Sequence, residues 1–402
     1  MPRVETLWNG WRQERLELPF PDQWTVEQYS LPAAVRPLSP GRIHELARSA
    51  MAELDLATLR RANRPACLLV DDITRPCSWR EIVPAVLDCL NAAGWPDSQI
   101  QVLVSLAGHT PMSSEEVEAK IGAAAARRVA VHMHRFDGPF AWFDYRNSRT
   151  GLNQIFCDAA PRILLGSVLP HPFAGFSGGG KAIMPGIADK ESIRRNHSLL
   201  SFGKGRVGDT NNEIRRQIDA IAALAPPHLA FQAVCDGQLR YVCLEAGPLD
   251  RSFAAALEFA RVYCACRPRG GHNVVVLNCF PKDEELLQVT NALNVVRTMN
   301  TGALAGCRAV VLLGSAAKGL GFHALFGPGG PLFRPPKPLA FLKGAPLIGF
   351  FPGADAAQFH TVFSPDSCFA PSWEAVLERL QALQLERYDV AFFQQAALQI
   401  CT

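Results

Sequence analysis

Short runs of consecutive apolar residues alternate along the chain with longer segments in which apolar residues recur at helical spacing. In the first half of the chain, three such runs occupy residues 66–72, 99–108 and 162–169. The helical pattern follows the first two runs, at 78–94 and 113–128. Short apolar runs that alternate with helices are typical of strands buried on both faces of a parallel sheet. The pattern therefore predicts an α/β domain.

The same alternation returns in the second half of the chain. Residues 265–273 combine charge, proline and paired glycines, which interrupt the helical pattern of 251–263 and mark a linker. A second set of buried strands and one helix is predicted beyond this linker, at 273–280, 283–299, 308–316 and 345–351. A second, smaller α/β domain is therefore expected.

These patterns predict two α/β domains with largely parallel sheets and an active-site cleft between them. The N-terminal domain would occupy residues 1–266 and the C-terminal domain residues 272–390, with 391–402 as a tail that could return to the first domain. Residues 319–338 are rich in glycine and proline, so we expect them to form a loop over the cleft.

The composition narrows the possible functions. The 402 residues are 48% hydrophobic and 19% charged, as in ordinary globular proteins with well-filled interiors. Forty basic and 37 acidic residues leave a net charge of +3, which favours no nucleic-acid partner. No apolar run approaches the roughly 20 residues that span a bilayer, and the N-terminus lacks the apolar core of a signal peptide. We therefore expect a cytoplasmic protein without a membrane partner, whose 12 cysteines are mostly buried free thiols.

Polar residues cluster where the predicted strands of the first half end. The strand at 66–72 runs into Asp71, Asp72 and Arg75, and the next strand runs into His109. The third strand is followed by the glycine-rich stretch 171–186. Because ligands of parallel sheets gather at the carboxyl ends of the strands, these segments are candidates for one site.

The glycine-rich stretch has the G-x-x-x-x-G-K spacing of a phosphate-binding P-loop from Gly175 to Lys181. Two features weigh against that interpretation. Ala182 stands where a P-loop needs a serine or threonine to hold magnesium. Pro170 and Pro172 lie between the strand and the loop, and proline spoils the tight turn that a P-loop requires. The sequence therefore does not favour a nucleoside-triphosphate hydrolase.

The segments taken together resemble the lactate racemase family, whose members carry a nickel-pincer nucleotide. The resemblance lies in motifs that keep their order over residues 7 to 390, namely V-D-D-x-T-R-P (70–76), G-H-T (108–110), H-P-F-A-G-F-S-G-G-x-K (171–181), M-P-G (184–186) and N-H (196–197). A weaker similarity appears at Pro281-Lys-Asp and at Gln288.

The resemblance implies a covalently held cofactor in the N-terminal domain. Lys181 would be joined through a thioamide to a pyridinium mononucleotide, whose ring carbon and two sulfurs hold Ni(II). His197 would be the fourth nickel ligand, which suits the planar geometry that nickel prefers. The glycines before Lys181 would let the ring and its phosphate lie against the backbone. Dedicated maturation enzymes would be transient partners.

The resemblance also assigns the residues of the reaction. Asp72, Ile73, Thr74 and Arg75 would contact the cofactor, and Arg75 would also grip the carboxylate of a 2-hydroxy acid. A simpler interpretation, compatible with that role, is that Asp71 and Asp72 cap the next segment and pair with Arg75. His109 and His171 would be the catalytic acid and base, because histidine can give or take a proton near neutral pH. Hydride would pass reversibly from C2 of the substrate to the cofactor ring.

One position departs from the family pattern. In lactate-acting members, the glutamine matched by Gln288 is followed three residues later by a lysine that helps to bind the substrate. Here that residue is Asn291, which supplies no second positive charge. Gln288 and Asn291 remain the expected substrate contacts, and a 2-hydroxy acid larger than lactate becomes at least as plausible. His323 could also reach the cleft, although an ordinary loop histidine is the simpler interpretation.

Two alternatives stay open at the level of sequence. The same scaffold could oxidise, reduce or dehydrate a hydroxy acid instead of racemising it. The chain could also be a divergent relative that only binds a nucleotide or a hydroxy acid. The joint presence of His109, His171, Lys181, His197 and Arg75 argues against a binding protein, which would not need all five.

Overall fold

The computed structural model describes residues 3–203, 205–299 and 306–402. The chain forms two compact units. The continuous unit is Val35–Val262, and the discontinuous unit combines the described residues up to Ala34 with those from Tyr263 onward. Each unit contains a six-stranded sheet. The two predicted α/β domains with largely parallel sheets are therefore confirmed as a fold class.

The sheet of the continuous unit has parallel neighbours throughout, except for one antiparallel pair at its edge. Its strands are, in order across the sheet, Tyr241–Gly247, Leu229–Cys235, Arg162–Ser167, Ala66–Asp71, Ile100–Ser105 and Ala130–Met133. Every residue of Ala66–Asp71 is buried, as expected for a central strand of a parallel sheet. The three apolar runs of the first half thus become adjacent strands.

Helices cover this sheet. They are Pro40–Ala52, Leu56–Arg61, Val83–Ala92, Ser114–Ile121, Ala123–Arg128, Gln154–Asp158, Lys190–Ser198, Glu213–Ala222 and Leu249–Tyr263. The helix predicted at 113–128 is interrupted at Gly122, whose φ of 88° ends Ser114–Ile121 before the next helix begins. Ser113 and Glu116 form a capping box at the start of this pair, which satisfies the first exposed N–H groups.

Two antiparallel hairpins that were not predicted lie outside the six-stranded sheet of this unit. Strands Phe140–Tyr145 and Ser148–Asn153 form the first hairpin. The second, Pro170–His171 with Gly175–Phe176, lies within the stretch that carries the family motif.

The sheet of the discontinuous unit is parallel throughout. Its strands are, in order, Cys368–Ala370, Leu347–Phe350, Ala309–Leu313, Val274–Asn278, Asp389–Phe393 and Thr25–Tyr29. The helices of this unit are Leu286–Val289, Asn294–Thr298, Ala356–Val362 and Trp373–Gln381, and its remaining paired strands are Arg3–Trp8 with Glu14–Pro19 and Ala265–Cys266 with Ile400–Cys401.

Where one helix was predicted at 283–299, the structure has two short α-helices, Leu286–Val289 and Asn294–Thr298. Asp283 lies outside both helices because its buried carboxylate accepts hydrogen bonds from the backbone N–H groups of Asn9 (2.7 Å), Gly10 (2.8 Å) and Ser315 (3.1 Å). The residue therefore closes a turn that ties distant segments together. The predicted loop at 319–338 contains no helix or strand.

The domain boundaries predicted from the sequence need correction at both ends. Strand Thr25–Tyr29 pairs with Asp389–Phe393, so residues before 35 belong to the discontinuous unit and not to a domain spanning 1–266. The C-terminal segment 391–402 also stays in this unit, because Ile400–Cys401 pairs with Ala265–Cys266. Local hydrophobic patterns identify strands but do not reveal which distant strand completes a sheet.

All 12 cysteines are free thiols. In the part of the chain that the structure describes, we find no helix that combines the length and the apolar character needed to cross a membrane. The cytoplasmic location stays a prediction.

Candidate active site

The ends of three adjacent strands form the site in the continuous unit. Strands Ala66–Asp71, Ile100–Ser105 and Arg162–Ser167 are parallel neighbours, so their carboxyl ends meet at one edge of the sheet. A small pocket of about 30 Å³ opens there. It is lined by Asp71, Asp72, Arg75, Ser105, Ala107, His109, Gly166, Ser167, Ser177, Gly178, Lys181, Ala182, Pro185 and Gly186.

A buried ion pair supports the floor of this pocket. The Lys120 ammonium lies 2.7 Å from Oδ1 of Asp71, and both side chains are less than one-tenth exposed. Asp71 also accepts hydrogen bonds from the Trp79 indole and from the backbone N–H of Ser167, each at 2.7 Å. The role of Lys120 was not predicted, because a single lysine on an amphipathic helix carries no signal of burial.

Lys120 also fixes the backbone that follows strand Ala66–Asp71. Its ammonium donates to the carbonyl oxygens of Arg75 (3.0 Å) and Cys77 (2.7 Å). With Asp71 as the third partner, all three N–H donors of the lysine are used. The segment that carries the predicted cofactor and substrate contacts is therefore held rigidly against the sheet.

Asp72 organises the next group of side chains. Its Oδ2 lies 2.8 Å from Nδ1 of His109, and its Oδ1 accepts from the backbone N–H and the hydroxyl of Thr74. Burial alone would raise the pKa of Asp72, but His109, Arg75 and Thr74 outweigh it and hold that pKa well below its usual range. Asp72 is therefore ionised near neutral pH.

The Asp72 carboxylate sets the tautomer of His109. An ionised carboxylate can only accept hydrogen bonds, so Nδ1 of His109 carries a proton and donates it to Asp72. In the neutral ring the lone pair then lies on Nε2, the nitrogen that can act as a base. Arg75 donates to the Thr74 hydroxyl at 2.8 Å, and its charge lies close enough to Asp72 to stabilise the carboxylate.

The neutral ring of His171 has the opposite tautomer to that of His109. Its Nδ1 accepts the backbone N–H groups of Phe173 and Ala174, each at 3.2 Å. Because a backbone N–H can only donate, the neutral His171 ring carries its proton on Nε2. His171 is not part of the pocket lining. Its ring packs edge-to-face against Phe173, whose ring also packs against that of His197.

His197 lies near the end of helix Lys190–Ser198. Its Nδ1–H donates to the carbonyl of Ile193 at 3.0 Å. Burial, followed by the charges of Lys181 and His109, lowers the pKa of His197 to about 4. The ring is therefore neutral near pH 7, with the lone pair on Nε2. A metal-binding histidine commonly has this arrangement, in which the second nitrogen donates to a backbone carbonyl.

Lys181 lies in a 3-10 turn, Gly179–Ala182, and is only 9% exposed. Burial lowers the pKa of its amine well below the ordinary value, and the positive charges of Arg75 and Arg215 lower it further. Asp72 opposes this effect but does not reverse it. The site thus favours the neutral, nucleophilic form of the amine.

The glycines before Lys181 are required mainly by the protein itself. Gly178 and Gly179 have φ values of 84° and 58°, which residues with side chains rarely adopt. A Cβ at Gly179 would collide with Arg215 and Phe253. The loop packs too closely for side chains, and within the glycine run only Gly178 borders the pocket. The expected role of these glycines in making room for a nucleotide stays a prediction.

Two further residues hold the glycine loop, and neither role was predicted from the sequence. The buried amide of Gln232 accepts the N–H of Gly179 at 2.8 Å. The buried guanidinium of Arg215 donates to the carbonyl of Gly178 at 3.2 Å and lies 4.0 Å from the ring centre of Phe253. Glutamine and arginine are usually exposed, so only contacts over long sequence distances reveal these roles.

The structure brings together some of the predicted site residues and leaves others untested. Asp72, Arg75, His109 and Lys181 line one pocket, whereas Ile73, Thr74, His171 and His197 are outside its lining. Gln288 and Asn291 belong to the discontinuous unit, so their predicted partnership with Arg75 stays a prediction. Among the residues described, we find no group of three or more His, Cys, Asp or Glu side chains arranged to hold a metal ion.

Comparison with known proteins gives the family context. Residues 11–208 match the family model of the lactate racemase N-terminal domain. The chain is 25% identical over 253 residues to the lactate racemase of Lactiplantibacillus plantarum, covering 61% of this chain and 59% of that protein. It is 26% identical over 252 residues to the lactate racemase of Thermoanaerobacterium thermosaccharolyticum, covering 58% and 56%. Both alignments span less than two thirds of the relatives' own length.

Solved structures show the same fold over the whole chain. The lactate racemase apoprotein from Thermoanaerobacterium thermosaccharolyticum superposes with a TM-score of 0.72 at 18% identity and covers both chains fully. A crystal structure of a Thermotoga maritima protein reaches a TM-score of 0.67 at 15% identity, over 93% of this chain and 100% of that one. Residues 11–208 are therefore similar to the lactate racemase N-terminal domain, and the chain shares its fold with these two solved structures.

Proposed function

We propose that this protein is a racemase or C2-epimerase of a 2-hydroxy acid that uses a nickel-pincer nucleotide attached to Lys181. The observation that carries the proposal is a buried amine at Lys181, with a pKa well below its ordinary value, in the same pocket as Arg75 and the Asp72–His109 pair. One pocket thus combines a point of covalent attachment, a carboxylate-binding cation and a proton acceptor.

The residues present fit such a cofactor. A lysine can form a thioamide only as the neutral amine, the form that the surroundings of Lys181 favour. A nickel ligand must likewise be a neutral imidazole, and His197 has a pKa of about 4 and a donated Nδ1–H. Lys181 and His197 would therefore hold the group. When bound, it supplies a cationic ring that takes up the C2 hydrogen with its electron pair and returns it.

Arg75 would bind and orient the substrate. Its guanidinium is permanently charged and can grip a carboxylate with two parallel N–H donors. Lys120 fixes the carbonyl of this residue, and the Thr74 hydroxyl accepts one of its N–H groups. An arginine held at both ends loses little further freedom on binding, so it can position C2 of a 2-hydroxy acid accurately.

His109 and His171 would move the protons of the reaction, with different resting roles. Nε2 of His109 can accept the hydroxyl proton, and Asp72 stabilises the ring once it is charged. The neutral His171 ring instead presents an Nε2–H, because its Nδ1 is held by two backbone donors. We infer that His109 is the resting base, whereas His171 must first be protonated on Nδ1, which releases its two backbone donors, before it can return a proton as the acid.

Isotopic labelling tests the proposed reaction. We expect substrate deuterated at C2 to give racemised product that keeps its deuterium in ordinary water, because the C2 hydrogen leaves and returns as one unit. The measurement is mass spectrometry of both enantiomers after partial conversion. Complete washout of the deuterium would overturn the hydride route. Net oxidation or dehydration products would instead favour a related oxidoreductase or lyase.

The attachment site predicts a modified lysine. Co-production with the maturation enzymes should add the cofactor mass to the chain, and peptide mapping should place it on Lys181. Lys181→Ala should lack both the adduct and activity, whereas Lys190→Ala, which removes an exposed lysine nearby, should keep both. An unmodified wild-type chain, in a host that loads a known family member, would favour the divergent binding relative.

The lowered pKa of His197 predicts that the stability of the folded chain depends on pH. Because its pKa is about 4 in the folded chain, we expect the ring to remain neutral down to about pH 5. The unfolded chain binds more protons between about pH 4 and 6.5, so the stability contributed by this histidine is lost as the pH falls through that range. NMR titration, with His197→Gln to assign the signals, measures this directly. Protonation near pH 6.5 would contradict the buried, neutral state.

The Asp72–His109 pair predicts a selective loss of kcat. In Asp72→Asn, the amide can donate to Nδ1 of His109, which moves the ring proton to Nε2 and removes the base. We expect kcat to fall roughly 10²- to 10⁴-fold, with a smaller change in KM because Arg75 still binds the carboxylate. Asp137→Asn, at an exposed aspartate of the same unit, is the matched control. Unchanged kcat in Asp72→Asn would exclude His109 as the base.

A further inference from the structure

Two cysteines of the discontinuous unit are in contact with each other and partly exposed. The sulfur atoms of Cys266 and Cys401 lie 3.4 Å apart, and both residues are free thiols. A second pair, Cys77 and Cys235, has its sulfurs 2.6 Å apart, but these residues are only 1% and 4% exposed. Reagents in the surrounding solution can therefore reach the first pair more easily than the second.

The backbone places the two partly exposed cysteines side by side. Strands Ala265–Cys266 and Ile400–Cys401 are parallel, and Cys266 lies directly opposite Cys401 in their register. Two hydrogen bonds between the strands, of 2.9 and 3.2 Å, hold this register. Neighbouring strands are about 4.8 Å apart, which is within the range of Cα separations that a disulfide bridges. The two sulfurs can therefore bond after small rotations of their side chains.

The ladder formed by these strands is short, and it supports a nearby helix. Each strand has only two residues. The N–H of Cys401 donates to the hydroxyl of Thr298 at 2.8 Å, and that hydroxyl donates to the carbonyl of Asn294 at 2.7 Å within helix Asn294–Thr298. So short a ladder opens easily, because opening it breaks few contacts. A covalent bond between the strands would stabilise both the ladder and the helix attached to it.

The contact between the thiols gives them different reactivities. The hydrogen bond to Cys266, together with burial, raises the pKa of the Cys401 thiol, so Cys401 stays protonated near neutral pH. Because the thiolate is the nucleophile in disulfide exchange, Cys266 is the residue expected to attack a reagent first. Once Cys266 has reacted, its sulfur no longer holds the proton of Cys401, which is then free to ionise.

We propose that Cys266 and Cys401 form a reversible disulfide by exchange with low-molecular-weight disulfides, and that this bond stabilises the discontinuous unit. The Cys266 thiolate attacks one sulfur of the reagent RSSR, which releases RS⁻ and leaves a mixed disulfide on Cys266. The Cys401 thiolate then attacks the Cys266 sulfur, forms the bond between the two cysteines and releases the second RS⁻. The protein loses two electrons and two protons, and RSSR becomes two RSH. This inference does not depend on the proposed function.

The expected bond is a labile one. Disulfides that are partly exposed to solvent are easier to reduce than buried structural ones. An excess of free thiols would therefore return the pair to the reduced form that the structure shows. The stability of the discontinuous unit would then follow the ratio of disulfides to thiols in the solution.

Peptide mapping of the full-length chain tests whether the bond forms. After incubation with oxidised glutathione and alkylation of the remaining thiols, mass spectrometry should show a linkage between Cys266 and Cys401, and dithiothreitol should remove it. Cys401→Ser should instead keep one glutathione on Cys266, whereas Cys307→Ser, at another partly exposed cysteine of the same unit, should form the linkage as wild type does. Wild-type chain that carries only mixed disulfides, remains fully alkylated, or links Cys77 to Cys235 instead, would overturn the proposal.

Thermal unfolding tests the stabilising role. We expect oxidation to raise the unfolding temperature of wild type by roughly 4–10 °C, because the bond joins residues 135 positions apart and restricts the unfolded chain. Dithiothreitol should reverse the increase, and Cys266→Ser should unfold at the same temperature with or without oxidised glutathione. An unchanged temperature in wild-type chain whose linkage has been mapped would show that the bond does not stabilise the unit, contrary to the proposal.

Discussion

The buried ion pair between Asp71 and Lys120 is the constraint on which the site depends. Removing two charges from water is costly, and here the cost is offset because every polar atom of the pair has a partner. The partners are the Trp79 indole and two backbone carbonyls of the loop that follows strand Ala66–Asp71, together with the backbone N–H of Ser167 on the neighbouring strand. Lys120 thus links a helix on one side of the sheet to the carbonyl of Arg75, and the loop cannot move without leaving a buried charge unpaired.

In His109, His171 and His197, the group that is hydrogen-bonded to Nδ1 determines which ring nitrogen carries the proton. A carboxylate at His109 produces a base with a stabilised charged form, while two backbone N–H groups at His171 produce a donor. A carbonyl at His197 leaves a neutral ring with its lone pair on Nε2, as a metal ligand requires. The same side chain can therefore serve three purposes within one unit, and neighbouring backbone groups make the difference.

The glycine loop illustrates how one motif can have two physical causes. Its spacing matches a phosphate-binding loop, and the proposed function connects it with a nucleotide. In the folded chain, however, Gly179 is required because Arg215, Gln232 and Phe253 pack directly against the backbone. Close packing of the loop buries Lys181, and this burial is what lowers the pKa of the amine. The same tertiary packing therefore requires the glycines and lowers the pKa of the Lys181 amine.

The sequence by itself determined the class of fold, three of the six strands in each large sheet and the motifs around Asp72, His109 and Lys181, because buried strands and strand-end loops leave local patterns. Only the tertiary structure decided which distant strand completes each sheet and which residues support the site. Strand Thr25–Tyr29 joins a sheet more than 240 residues away, and Lys120 and Arg215 become buried partners through such long-range contacts. The sequence also could not predict which ring nitrogen of each histidine carries the proton, since this depends on the group that lies next to Nδ1.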